Sequence, residues 1–336
     1  MAQRIGKYTL LINNHVTVHS SVGIAGKKEG EGPLGSEFDM TFQDDKLGQS
    51  SWEKAESTFQ ATAVDMLLKR NAVSPAEIDF IFAGDLLNQC ISSTFGLRDF
   101  DIPFLGQYGA CSTMAQTMLV AALFVDSGIA DKTIAVTSSH FCSAERQFRL
   151  PIEYGGQRTP TAQWTVTGAG AALIDRDGSS VQINHVTAGK IRDLKIKDAN
   201  NMGAAMAPAA ADTIYNFLSD TGTCPSDYDM ILTGDLGLVG SELLKELLMK
   251  ENIDISAQHQ DCGLMIFDRK KQDVHAGGSG CGCSGSVFCS HIMKRLQSGD
   301  LHNILFAATG ALMSPTSSQQ GESIPSISHL IHLSRA

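Results

Sequence analysis

The chain repeats itself, and the repeat restricts the folds open to it. Asp79-Phe80-Ile81-Phe82-Ala83-Gly84-Asp85-Leu86 returns 150 residues later as Asp229-Met230-Ile231-Leu232-Thr233-Gly234-Asp235-Leu236. At the same offset Pro75 matches Pro225, and a helix-like stretch lies upstream of each proline, over 52–70 and 207–218. Downstream, Cys111-Ser112 is answered by Cys283-Ser284, Ser127-Gly128 by Ser298-Gly299, and the strand-like 134–138 by 305–309, at offsets of 171 or 172. So small a drift leaves room for one or two net insertions inside each copy.

Each copy reads as helix, strand, Gly-Asp loop, extended link, buried helix, Ser-Gly stop and strand. The runs 80–83 and 231–233 are short, apolar and bounded by Gly-Asp, which suits strands covered on both faces. The stretch 112–126 is apolar nearly all round, so it belongs inside the protein. Gly128 and Gly299 are good helix stops. Strands alternating with helices give a layered α/β fold. Two copies with their buried helices packed together predict five layers, α-β-α-β-α, with the halves at 1–180 and 181–336. Between the repeats, 139–168 is polar and carries Pro151 and Pro160. An insert of this length inside a compact fold is usually functional, and it is expected to cover the mouth of a site. Residues 26–50 form a second long loop.

Composition narrows the function classes. Hydrophobic residues make up 43% and charged residues 18% of 336, an ordinary globular balance. The formal net charge of -10 disfavours nucleic acid and anionic lipid surfaces, and no aromatic-basic stripe argues otherwise. No segment reaches the roughly 18 apolar residues of a membrane span, and the N-terminus lacks a signal-peptide plan. Any membrane association is therefore expected to be peripheral, through a partner. Eight cysteines without such a signal point to a reducing compartment. None is spaced Cys-x-x-Cys, and Cys281-Gly282-Cys283 alone is a weak zinc signal, so neither metal nor cofactor is expected. Most of the thiols read as small buried hydrophobes.

Cys111 differs from the rest by its place. Gly109-Ala110-Cys111-Ser112-Thr113 stands at the entrance of the buried helix, where the macrodipole and unpaired N–H groups favour a thiolate. This predicts a lowered pKa and a nucleophile, against the alternative of a structural thiol. The small-residue stretch Val166 to Leu173 reads as a strand whose glycines allow close packing. The glycine-rich 277–285 opens the second buried helix and offers backbone N–H groups to an anion. In the duplicated plan it faces the Cys111 loop, so Cys111, Cys281 and Cys283 are expected to line one cavity. His259, before the apolar 264–267, reads either as a ligand-facing imidazole or as a satisfied structural one; His140 is second choice.

These residues resemble the thiolase and ketoacyl synthase superfamily, nearest its ketoacyl synthase III branch, over essentially the whole chain. The resemblance is carried by the 109–113 string, the Gly168-Ala169-Gly170-Ala171-Ala172 strand and the glycine-rich turn. Longer strings are similar to the stage V sporulation protein AD family of spore-forming bacteria: Gly32-Pro33-Leu34-Gly35-Ser36, Gly84-Asp85-Leu86-Leu87-Asn88-Gln89, Ser138-Ser139-His140, Ala144-Glu145-Arg146-Gln147-Phe148-Arg149 and Met206-Ala207-Pro208-Ala209-Ala210-Ala211-Asp212.

The resemblance implies a protein of the forespore or spore, peripheral to the inner membrane. It implies binding of dipicolinic acid, alone or with calcium, and support of its uptake beside membrane proteins of the same operon. It also implies a homodimer, expected through 134–138. Two departures argue against catalysis. Ketoacyl synthase III places Pro-His-Gln-Ala-Asn where this chain has Thr233-Gly234-Asp235-Leu236-Gly237, and Gly-Asn where it has Gly280-Cys281. Loss of one such transition-state donor typically costs about 2.7–4 kcal/mol. A Cys111–His259–Cys281 set is the alternative that would keep an acyltransferase working on a coenzyme A or carrier-protein thioester. A third alternative is a structural subunit docking a membrane transport complex, with the cavity vestigial. For a dicarboxylate ligand, Arg146, Arg149 and Arg158 are the expected cations beside His140, although each also reads as a surface residue. Cys111, Cys281 and Cys283 make the expected floor and His259 a wall. Asp85 and Asp235 are expected to hold the cations or meet calcium.

Overall fold

The structure, a computed structural model, describes residues 1–148 and 157–335. Five strands of the first half, β1 (Thr17–Ala25), β2 (Phe80–Gly84), β3 (Phe104–Gly106), β4 (Thr133–Ser139) and β5 (Gly168–Asp175), lie in the order β1-β5-β4-β2-β3. The second half supplies β6 (Val181–Thr187), β7 (Met230–Thr233), β8 (His259–Asp261), β9 (Asn303–Ala311) and β10 (Ser326–Arg335), in the order β6-β10-β9-β7-β8. Order and direction are the same in both. β2 is parallel to β3 and β4, β5 runs antiparallel to β4 and β1, and β7, β8, β9, β10 and β6 repeat this. The two sheets join where Thr17 of β1 pairs with Gln182 of β6, and an N-terminal hairpin, Gln3–Ile5 with Thr9–Leu11, pairs with β6 beside it.

Helices fill the layers as the repeat predicts. On the outside of the first sheet lie α1 (Trp52–Asn71) and α2 (Ile91–Leu97), with Phe59, Val64 and Leu67 buried beneath α1. On the outside of the second lie α5 (Met202–Thr221) and α6 (Gly237–Met249), burying Ile214, Phe217 and Leu244. Between the sheets run α3 (Thr113–Asp126) and α7 (Cys281–Val287); the latter continues through a π turn to Ser298. This middle layer is apolar from both sides, with the Phe288 and Phe306 rings stacked at 4.6 Å and Phe82 edge-on to Phe124. Helix α4 (Phe141–Phe148) belongs to the polar insert.

The small-residue strand is there for packing. A side chain at Gly170 of β5 would meet the Gly285 carbonyl oxygen of α7 at 2.1 Å, so helix and sheet approach backbone to backbone. This contact brings the two halves together behind the site.

One expectation is corrected. The stretch 134–138 cannot receive a second copy, because β4 is hydrogen-bonded to β2 on one side and β5 on the other, with every residue buried. The open edge of that sheet is β3, whose three residues are all exposed.

Candidate functional site

The two halves meet at a small cavity of about 50 Å³ between the ends of their strands and helices. Leu86, Ala144 and Phe148 wall it from the first half, and Met206, Ala311 and Met313 from the second. Cys111, Thr165 and Ser279 also line it, and Tyr108, 42% exposed, stands at the mouth. The insert thus contributes a wall through α4.

Cys111 sits on a sharp elbow. Ala110 takes φ +49°, a left-handed conformation that costs energy for a residue with a Cβ. The bend is held by Ser112 N–H and Oγ on the Gly109 carbonyl and by Thr113 Oγ1 on the Ala110 carbonyl. Gly310 of β9 presses on this turn, since a Cβ there would lie 2.1 Å from the Gly109 carbonyl oxygen. The elbow is therefore built from both halves.

The predicted low pKa of Cys111 is overturned. Helix α3 begins at Thr113 with Ser112 as its cap, so the thiol lies short of the helix end. Burial pushes the thiol well above its ordinary value, and the facing Asp235 carboxylate pushes it further through its charge and a thiol–carboxylate hydrogen bond. Asp235 is itself fully buried. It accepts the Gly280 N–H at 2.8 Å, Thr309 Oγ1 at 3.0 Å and Ser279 Oγ at 3.2 Å. Burial lifts its pKa to about 6 against those bonds. One N–H of the glycine-rich turn, that of Gly280, therefore goes to Asp235 and is not open to a ligand.

Cys281 is the first residue of α7 and packs with Cys111, Leu86 and Ala144. Its thiol donates to the Ser138 carbonyl at 2.9 Å, and burial raises its pKa too. Asp85, the repeat partner of Asp235, turns inward. It accepts Leu87 N–H, Ser93 N–H and Ser93 Oγ, and its pKa is raised by burial. Among the described residues neither aspartate meets a cationic side chain, and no group of three or more His, Cys, Asp or Glu stands ready to hold a metal.

The other expected residues lie apart from the cavity. His259 is on the edge strand β8, with Nε2 3.0 Å from Thr233 Oγ1; burial and Lys245 lower its pKa to about 4. Cys283 points into the middle core with Cys262. His140 is enclosed by Trp52 and Phe59, with Nε2 on the Asp45 carbonyl and Nδ1 accepting Cys142 N–H. Arg146 pairs with Glu53 at the start of α1, and Arg158 lies over the Trp164 ring beside Asp273. Arg149 falls outside the described residues. Among the described residues lining the cavity there is no Lys, Arg or His.

Sequence reasoning missed Glu56 and Gln60, one helical turn apart on the buried face of α1. Glu56 accepts Ser143 Oγ at 2.5 Å, and burial with the nearby Asp85 drives its pKa well up. Gln60 Nε2 reaches the Gly84 carbonyl, Ser93 Oγ and Ser138 Oγ. The available signal was two polar residues at i and i+4 on an otherwise apolar stripe.

Among solved structures, 3-oxoacyl-[acyl-carrier-protein] synthase III from Aquifex aeolicus superposes with a TM-score of 0.57, covering 95% of this chain and 99% of that one at 11% identity. Cerulenin-bound OleA from Xanthomonas campestris gives 0.62, covering 96% and 99% at 13% identity. At such identities the likeness shows a shared thiolase-like fold. The family model described as stage V sporulation protein AD matches residues 6–334. Stage V sporulation protein AD of Bacillus subtilis is 47% identical over 331 residues, 98% of either chain. On that match, nearly end to end, the chain belongs to the stage V sporulation protein AD family.

Proposed function

We propose that this chain binds dipicolinic acid, alone or as its calcium chelate, in the cavity beside Cys111, and that it supports uptake of that compound into the developing spore without acting as an enzyme. The observation that carries the reading is Asp235. Condensing enzymes of the resembling branch place an imidazole after the strand that corresponds to β7; here a buried carboxylate faces the thiol. A carboxylate raises the cost of a thiolate and repels a developing oxyanion, so it opposes both halves of acyl transfer. The side chains of Phe148, Leu86 and the methionines offer apolar contact to an aromatic ring. The hydroxyls of Thr165 and Tyr108 suit its oxygens. The proposed setting is the spore inner membrane, with membrane proteins as partners and a second copy of the chain.

Calorimetry with dipicolinic acid, with and without calcium, tests this. Met202 is a half-buried cavity wall, so Met202→Trp should fill the slot while the fold survives. Binding to the wild type and at least about tenfold weaker binding to the variant is the expected result. Equal affinity in both would move the ligand elsewhere. Stoichiometric acetylation of Cys111 by acetyl-coenzyme A, read by mass spectrometry, would replace this reading with the acyltransferase one.

A further inference from the structure

The net charge speaks against an anionic lipid surface, but the cations are not evenly spread. Between β6 and α5 the chain runs over the surface as Lys190-Ile191-Arg192-Asp193-Leu194-Lys195-Ile196-Lys197. It is pinned by Arg192 to Ser326 and by the Ile196 carbonyl to Ile324 N–H. Ile196 packs inward, whereas Ile191 and Leu194 stand out at 64% and 62% exposure. Tyr215, on the outer face of α5, is exposed as well, one turn from Asp212. Asp212 holds Lys190 and Arg192, which places that face beside the strip. Lys190 also lies 4.3 Å from the Tyr8 ring centroid, which brings in the N-terminal hairpin with Arg4 and Lys7. Six cations, Arg4, Lys7, Lys190, Arg192, Lys195 and Lys197, therefore share one face. The acids beside them are Asp193, Asp198, Asp212, Asp220 and Glu322, and Asp220 accepts three backbone N–H groups.

We propose that this face docks directly on an anionic lipid bilayer, with Ile191 and Leu194 entering the interface and the surrounding lysines and arginines meeting the head groups. Two protruding aliphatic side chains within a rim of long cationic ones fit a lipid interface better than a pocketed protein partner. The local charge is slightly positive on an otherwise acidic protein, and long cationic side chains around two exposed aliphatic ones can meet anionic head groups while the charges across the molecule lie beyond a Debye length. The strip runs straight into α5, whose first residue, Met202, is a wall of the cavity. Docking here sets the cavity close to the bilayer, whichever ligand it holds.

Vesicle flotation with the full chain tests the proposal. The wild type should float with vesicles of equal parts phosphatidylglycerol and phosphatidylcholine, stay behind with phosphatidylcholine alone, and release in about 0.5 M salt. Ile191→Ser with Leu194→Ser, and separately Lys195→Glu with Lys197→Glu, should each lower the bound fraction about tenfold. These side chains are exposed, so circular dichroism should be unchanged. Met40→Ser, exposed and away from both this strip and the β3 edge, should bind as the wild type does. Absence of flotation in the wild type, as expected if the true partner is an acidic protein segment, overturns the proposal. So does equal binding to neutral vesicles, or undiminished binding of either double variant.

Discussion

Asp235 explains why Cys111 should be a slow nucleophile. Its carboxylate lies against a buried thiol, and Cys224 is the exposed cysteine. Iodoacetamide labelling with peptide mapping near neutral pH should therefore mark Cys224 well before Cys111. Asp235→Asn keeps the shape and removes the charge. It should speed Cys111 labelling by about tenfold, one pKa unit, and an unchanged rate would remove Asp235 as the cause. The same buried groups set the pH dependence of stability. Folding lifts Glu29 to about 8, Asp261 to about 7 and Asp235 to about 6, so above their ordinary range the folded chain holds protons that the unfolded chain has released. Each therefore costs stability as pH rises through its folded value. Folding lowers His259 and His329 to about 4 and His332 to about 3, so below the ordinary imidazole value the unfolded chain takes up protons that the folded chain refuses. Stability is then lost as pH falls. The two trends balance at about pH 6, where the melting temperature should peak; a steady climb from pH 6 to 8.5 would contradict this. At this scale the sequence was legible in part. The Gly109–Thr113 string located the cavity, because a thiol between a glycine turn and an apolar helix has few other uses. It could not reveal that Asp235 faces that thiol, since the contact joins residues from different halves.

Elements were more legible than side chains. Equal strings at equal offsets required equal supersecondary units, and two sheets with one strand order followed. Gly168 to Ala172 read as a packing strand because small residues in a row have no other means of filling a buried sheet. The structure adds what they pack against, the Gly285 backbone. Gly170→Ala should therefore force α7 away from β5 and cost about 1–3 kcal/mol, read from the urea midpoint of the purified protein. A variant as stable as the wild type would mean that the helix can shift freely. His259 and Cys283 were misplaced for a related reason. A strand sends alternate side chains to opposite faces, and a helix turns by a third of a circle per residue, so closeness in sequence to the glycine-rich turn did not fix direction.

For the whole molecule, the open question is how the first sheet ends. Among the described residues β3 pairs with β2 alone, and its outer N–H and C=O groups form an open edge. Phe104, Leu105, Tyr108, Ile91 and Phe95 are exposed around it, a concentration of large apolar side chains that a lone chain gains nothing by presenting to water. A strand lying across a two-fold axis pairs with its own copy antiparallel, which makes one continuous sheet and a self-complementary contact. Arg98, Asp99 and Asp101 flank the edge and provide both signs of charge for such a contact. Tyr108, two residues beyond β3, stands at the cavity mouth, so pairing here would bring the second copy beside the site. We therefore expect sedimentation velocity to give a dimer, twice the 35.9 kDa chain. Leu105→Lys with Phe104→Glu should leave monomers with an unchanged circular dichroism spectrum, because both side chains lie outside the core. If the wild type sediments as a monomer at micromolar concentration, the apolar edge serves another partner; if the double variant stays dimeric, the two-fold contact lies on a different surface.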